Sequence, residues 1–239
     1  MKEIARLKEY CDENGLQEFK TKYLKPVTFI HCDNKEYLKT VPYKHFHLGI
    51  IDPPYGVNVG NMDLGRHVAK LGPRDFEMGN WDNATPDKEF WELFFRACRK
   101  WIIWGGNYFV SEIKENGRCH IVWDKMNDKM SFAGCELALT NIDANAFLIR
   151  RPRNARGIDD EKKRHPTQKP AYIYDKLLQE FVDKSHYGFK VLDTHGGSFN
   201  HAIAAHRNNV DLVIMDREES YFKSGIAAFE NSCLNGRLF

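Results

Sequence analysis

Short apolar runs alternate with amphipathic stretches along most of this chain. "VTFIHCD" (27–33), "FHLGIID" (46–52), "WIIWGG" (101–106), "CHIVWDK" (119–125), "CELALTN" (135–141), "NAFLIR" (145–150), "FKVLD" (189–193) and "VDLVIMD" (210–216) predict strands. Several have little polar alternation, which predicts strands covered on both faces. Helical spacing marks "TPDKEFWELFFRACRK" (85–100), with Thr85 as N-cap and Pro86 in the first turn. It also marks "PAYIYDKLLQEFV" (170–182), the segment after Gly197, and "EESYFKSGIAAFENSCL" (218–234). Ile4, Leu7 and Cys11, then Leu16, Phe19 and Tyr23, predict a helical extension over 1–24, broken near Gly15. Residues 56–83 hold Gly56, Gly60, Gly65, Gly72 and Gly79 with little periodicity, which predicts a long mobile loop. Strands alternating with helices predict an α/β fold, a mainly parallel sheet with helices on both faces, and a single domain over 1–239.

Composition adds limits. No apolar run has the length of a membrane span, and the charged start "MKEIARLKEY" lacks the apolar core of a signal peptide. The expected location is the cytoplasm. The six cysteines are scattered without a C-x-x-C pair, so reduced thiols and no metal site are expected. His201 and His206 have no third ligand in view and read as surface or packing residues. The formal net charge is only +2, but charge is uneven. Between Arg150 and Pro170, Arg150, Arg151, Arg153, Arg156, Lys162, Lys163, Arg164 and Lys169 outweigh Asp159, Asp160 and Glu161. The segment 150–164 suits contact with a polyanion, with Arg151, Arg153 and Arg156 each able to neutralise a phosphate. It equally suits a solvated loop.

Two turns carry candidate chemistry. In "LDTHGGSFNHA", Gly196 and Gly197 follow a strand that ends at Asp193, and the next strand ends at Asp216. Such a glycine turn lets a ligand approach the backbone, and a strand-end carboxylate accepts hydrogen bonds from ribose hydroxyls. A dinucleotide site needs further glycines. Phe199 stands where one would be, so a nucleoside ligand without phosphates, such as S-adenosylmethionine, fits better. An ordinary strand–turn–helix with an exposed acid would look the same. The second turn is Asp52-Pro53-Pro54-Tyr55. The prolines fix where the Asp52 carboxylate and the Pro53 carbonyl point. Two adjacent acceptors suit an amino group with two hydrogens, and Tyr55 offers a face for a base. A rigid strand exit is the plain alternative.

"DPPYG" (52–56), "WGGNYF" (104–109), "HPTQKP" (165–170) and "LDTHGGS" (192–198) occur in an order that resembles the beta-class amino-methyltransferases of DNA. The resemblance covers most of residues 27–230. It implies a circularly permuted Rossmann-like methyltransferase fold, in which "VTFIHCD" supplies a strand beside "VDLVIMD". It implies S-adenosylmethionine as cofactor and double-stranded DNA as substrate, with transfer to adenine N6. The same chemistry on cytosine N4 is the alternative, and a catalytically weak nucleic-acid-binding protein of this fold is another. Asp52, Pro53, Pro54 and Tyr55 match the catalytic motif. Asp33, Lys169, Asp193, His195, Gly197, Ser198, Asn200 and Asp216 match cofactor positions. The resemblance also admits a homodimer and a cognate restriction endonuclease as partners of this chain, since members of the class occur in restriction–modification systems and as solitary methylases in bacteria and phages. Phe199, in place of a glycine, predicts a reshaped cofactor pocket.

Overall fold

The computed structural model describes residues 17–19, 25–56, 85–127, 133–152 and 168–234. The described strands form one sheet: β1 (Gln17–Phe19), β2 (Val27–His31), β3 (Phe46–Ile51), β4 (Cys98–Trp104), β5 (Ile121–Asp124), β6 (Cys135–Thr140), β7 (Phe147–Arg150), β8 (Lys190–Asp193) and β9 (Asp211–Asp216). Their order is β1-β2-β9-β8-β3-β4-β6-β5-β7. From β2 to β4 every pairing is parallel, whereas β1 and β6 run antiparallel to their neighbours. The expected partnership of "VTFIHCD" with "VDLVIMD" is present, with Val27 opposite Leu212 and His31 opposite Asp216. Strands from the two ends of the chain thus complete the sheet that β3 and β4 begin.

Helices cover both faces. α1 (Asn34–Thr40) and α2 (Lys88–Ala97) lie on one, and α3 (Ala171–Phe181), α4 (Asn200–Arg207) and α5 (Glu219–Leu234) on the other. The strands divide their side chains by the two-residue pleat. Ile50, Ile102, Val191 and Ile214 join the core under α3–α5, while Ile51, Ile103, Leu192 and Met215 join the core under α1 and α2. This double covering explains why the strands read as unbroken apolar runs. Among the described residues, no helix is long and apolar enough to cross a membrane.

Several expectations shift. Gln17–Phe19, expected within the N-terminal helix, pairs with β2 as a strand. The rest of that extension, 1–16 and 20–24, lies outside the described residues, as do most of the 56–83 loop and Arg153 and Arg156. α2 starts later than Thr85: the Asp87 side chain accepts from the Phe90 N–H and makes the cap. α1 was not foreseen. Its seven residues are too few for periodicity to show, and it is held by the Asp33 cap on Lys35 N–H.

Phe199 does not enter the crevice above the sheet. It is fully buried, stacked on Phe29 of β2 at 5.4 Å and edge-on to Phe222 of α5. A Cβ on Gly225 would come within 2.6 Å of its ring, so a glycine in α5 makes its room. Its φ of +58° is a left-handed conformation that a bulky residue adopts at a cost, so packing outweighs the local strain. Phe199→Ala should therefore lower the unfolding free energy by about 3–5 kcal/mol, read from urea denaturation. A loss below about 1 kcal/mol would show that the ring is not the plug described.

Candidate functional site

Both chemically loaded turns emerge at the carboxyl ends of neighbouring parallel strands. Asp52 follows β3, Asp193 ends β8 and Asp216 ends β9. β8 lies where the chain's later strands meet its earlier ones, and crevices at such points are the usual ligand sites of open α/β sheets.

At the first turn, Pro53 is buried and Asp52 is partly covered. The carboxylate expected to wait for an external amino group is already engaged. Lys169 Nζ lies 2.6 Å from Asp52 Oδ2, and the Tyr55 hydroxyl donates to Asp52 Oδ1 at 2.6 Å. The Lys169 ammonium also donates to the Tyr55 oxygen at 3.2 Å and pairs with Glu136 Oε2, on β6, at 2.9 Å. Lys125 Nζ holds the other Glu136 oxygen at 2.6 Å. An isolated charge would be costly here, and the arrangement alternates sign from Lys125 to Asp52.

Burial works against each charge and the neighbours work against burial. For Lys169, burial favours the neutral amine, but Asp52 and Glu136 more than restore the ammonium and raise its pKa. For Glu136, burial favours the neutral acid, but Lys169 and Lys125 pull it down to about 2. Asp52 is raised: burial, helped by Glu136, outweighs Lys169. The Tyr55 hydroxyl is pushed well above its ordinary value by burial and by Asp52, so it stays a donor.

The Tyr55 ring was expected to offer an open face. One face instead stacks on Tyr108, with centroids 4.9 Å apart and planes within 11°. Tyr108 belongs to a 3-10 turn, Gly106–Tyr108, that follows Gly105. Gly105 has φ +63°, and a Cβ there would run into the Tyr55 ring. Glycine at this position thus serves both the turn and the ring, which accounts for "WGGNY" beside "DPPY". Phe109 is buried and meets Tyr55 edge-on, so it packs the turn from below.

At the second turn, the buried Asp193 serves the protein itself. One oxygen accepts from the His195 N–H and the other lies 2.9 Å from His201 Nδ1. His201 is buried and stacked on Tyr174, a packing histidine as expected. His195 lies beside Asn34 Nδ2, at 3.2 Å from its Nε2, and edge-on to Phe90. Burial lowers its pKa to about 4, so the ring is neutral near pH 7. Asp216 accepts from the Gly197 N–H at 2.8 Å and from the Glu218 N–H at 2.9 Å. Burial nonetheless pushes its carboxyl up to about 6. Asp33, at the end of β2 beside β9, caps α1. Ser198 is buried in the turn. The Asn200 amide, expected at a ligand, donates to the Lys169 carbonyl at 2.8 Å. Lys169 therefore touches Asp52 through its side chain and α4 through its backbone. Arg151 lays its guanidinium over Tyr172 at 4.4 Å. Among the described residues, no group of three or more His, Cys, Asp or Glu could hold a metal ion.

Glu136 and Lys125 are the side chains around the first turn that sequence patterns did not bring together with it. An acid within the apolar strand "CELALT" is the one visible hint, and it names no partner.

Similarity to solved structures agrees with this architecture. The M1.HpyAVI–SAM complex superposes with a TM-score of 0.57 at 18% identity, covering 84% of this chain and 98% of that one. TTHA0409 of Thermus thermophilus, solved with S-adenosyl-L-methionine, gives 0.52 at 16%, covering 84% and 91%. The PvuII DNA methyltransferase, specific for cytosine N4, gives 0.54 at 12%, covering 89% and 92%. The chain has the fold of these S-adenosylmethionine-dependent DNA methyltransferases. No family model matches the sequence, and no curated protein matches it.

Removing the central ammonium tests the network. Lys169→Met should cost about 3–5 kcal/mol of stability near pH 7, because it leaves Asp52 and Glu136 facing each other without a cation. Chemical denaturation reads the loss, and an unchanged midpoint would contradict the pairing.

Proposed function

We propose that this protein transfers a methyl group from S-adenosylmethionine to the exocyclic N6 amino group of adenine in double-stranded DNA. The observation that carries this reading is Lys169, which ties the Asp52 turn to the helix after the glycine turn. A donor held at one turn would meet an acceptor held at the other across that single residue.

The residues fit such a cofactor. Asp216, at its strand end, has carboxylate lone pairs suited to ribose hydroxyls, and Gly197 leaves the backbone open to close approach. Asp193 and Asn200 hold the turn in shape, while Asp33, His195, Ser198 and Lys169 border it. Phe199, withdrawn into the core, leaves the turn clear. When bound, the cofactor supplies an electrophilic methyl group. Asp52 and the Pro53 carbonyl would hold the two amino hydrogens of the target base and leave its nitrogen lone pair facing the donor. For this, Asp52 exchanges a partner of its own for the base, and the Tyr108 ring gives up its place on Tyr55.

Adenine is favoured because an acid opens the Asp-Pro-Pro-Tyr motif, which in the family it resembles goes with adenine. Cytosine N4 is the second reading, supported by the similarity to the PvuII enzyme. Duplex DNA would be steered by Arg151, Arg153 and Arg156. A homodimer, a cognate endonuclease, a role in restriction–modification and a cytoplasmic location belong to the same proposal.

Incubation with labelled S-adenosylmethionine and mixed-sequence duplex DNA, followed by digestion to nucleosides, tests it. Label in methyladenine that vanishes in Asp52→Ala is expected; no transfer to any duplex would overturn the reading. Asp216 gives an independent check. Its carboxylate form prevails above about pH 6, and ribose hydroxyls need that form as acceptor. Cofactor affinity measured by calorimetry should hold above pH 7 and fall as pH drops through 6. Asp216→Asn should weaken binding about tenfold or more and flatten this dependence. An affinity in the unchanged protein that is constant from pH 5 to 8 would remove Asp216 from the role.

A further inference from the structure

The proposed chemistry, on which this inference rests, leaves a proton to dispose of. As the bond from the amino nitrogen to the methyl carbon forms, the sulfur–methyl bond of the sulfonium breaks and its electron pair stays on sulfur. The nitrogen then carries a positive charge until one N–H proton leaves it. Asp52, the carboxylate held against the amino group, can take that proton and later release it to water. An ammonium at 2.6 Å works against this, because it stabilises the ionised carboxylate and makes Asp52 a weaker base.

The geometry points to Glu136 as a positioning residue that anchors the Lys169 ammonium and draws its charge away from Asp52. Three oxygens lie around the ammonium: Asp52 Oδ2 and the Tyr55 hydroxyl accept from it, and Glu136 Oε2 pairs with it at 2.9 Å. Lys169 is almost wholly buried, so water does not share this work. Glu136 comes from β6, across β4 from β3, the strand that Asp52 follows, and is itself fixed by Lys125, whose ammonium lies over Trp123. The groups that face Asp52 are Lys169, from the segment before α3, Tyr55, from its own turn, and Glu136. Tyr174 of α3 acts on Tyr55, and Lys125 stands behind Glu136. A negative charge at 136 raises the proton affinity of Asp52, and Lys125, held on the other oxygen of Glu136, offsets that charge. The two residues therefore tune one base in opposite directions.

That opposition separates tuning from scaffolding. Carbon-detected NMR titration of the Asp52 carboxyl, in the full chain without ligand, should show Glu136→Gln shifting its midpoint down by about one pH unit. Lys125→Met should shift it up, and Glu136→Asp should restore most of the original value. In methyl transfer to duplex DNA, the low-pH limb of the rate profile should follow each shift, with the plateau of Glu136→Gln lower by roughly tenfold. Shifts of one sign in both variants, or none, would overturn the role of Glu136 even where transfer proceeds. Opposite shifts in a protein that transfers no methyl group would uphold the electrostatic role and overturn the proposed activity instead. A Glu136→Gln chain that fails to fold leaves the decision to Lys125→Met, where an unmoved or lowered midpoint is contrary.

Discussion

An ammonium group taken out of water constrains much of the site. Lys169 is among the few buried charged side chains of the described structure, and it stays charged because carboxylates from β6 and from the turn after β3 converge on it. A buried cation of this kind tolerates little displacement, since each lost partner leaves more of the cost of burial uncompensated. β3, β6 and the residue before Pro170 must therefore keep their relative places. The proline helps by holding Lys169 extended at the start of α3. Through its carbonyl, the same residue fixes the first turn of α4. One side chain and one backbone oxygen thus couple two turns that lie more than a hundred residues apart in the chain.

Aromatic packing sets the shape around that charge. Tyr55 is wedged between the backbone of Gly105 and the ring of Tyr108. On the other side of the sheet, Phe199 fills the space that glycines at 196 and 225 leave. In both places a glycine matters for what it lets a ring occupy. The same residue type at 197 matters for another reason: its N–H reaches Asp216, so the backbone itself organises the acid.

Much of the architecture was legible because it rests on local pattern. Strands buried on both faces announce themselves as apolar runs, and a run followed by an acid marks the ligand edge of the sheet. The pairing of β2 with β9 was legible only through the order of motifs, since nothing within "VTFIH" names its neighbour. The site was legible in part. Asp52 and Tyr55 stand out through the prolines between them, but their partners come from distant segments without any spacing to reveal them. For Phe199, a one-letter string shows that a glycine is missing and not where the replacement ring goes. Asn200 and Asp193 show a similar limit: a polar residue in a ligand turn looks the same in sequence whether it faces a guest, braces the turn or does both.

The strand order also bears on how the chain reaches its folded state. β8 and β9 come late, yet they fill the places between β2 and β3, which come early. Until residue 216 or so is available, the first strands lack the neighbours that hydrogen-bond them in the finished sheet. Pairings that span such lengths of chain are slow to form, and the waiting edges are sticky. A growing polypeptide that has emerged only as far as Lys169 therefore holds Asp52 but not the strands bearing Asp193 and Asp216. The crevice is completed only once β8 and β9 have emerged, so a product terminated before them would carry half a site on an unfinished sheet that invites aggregation.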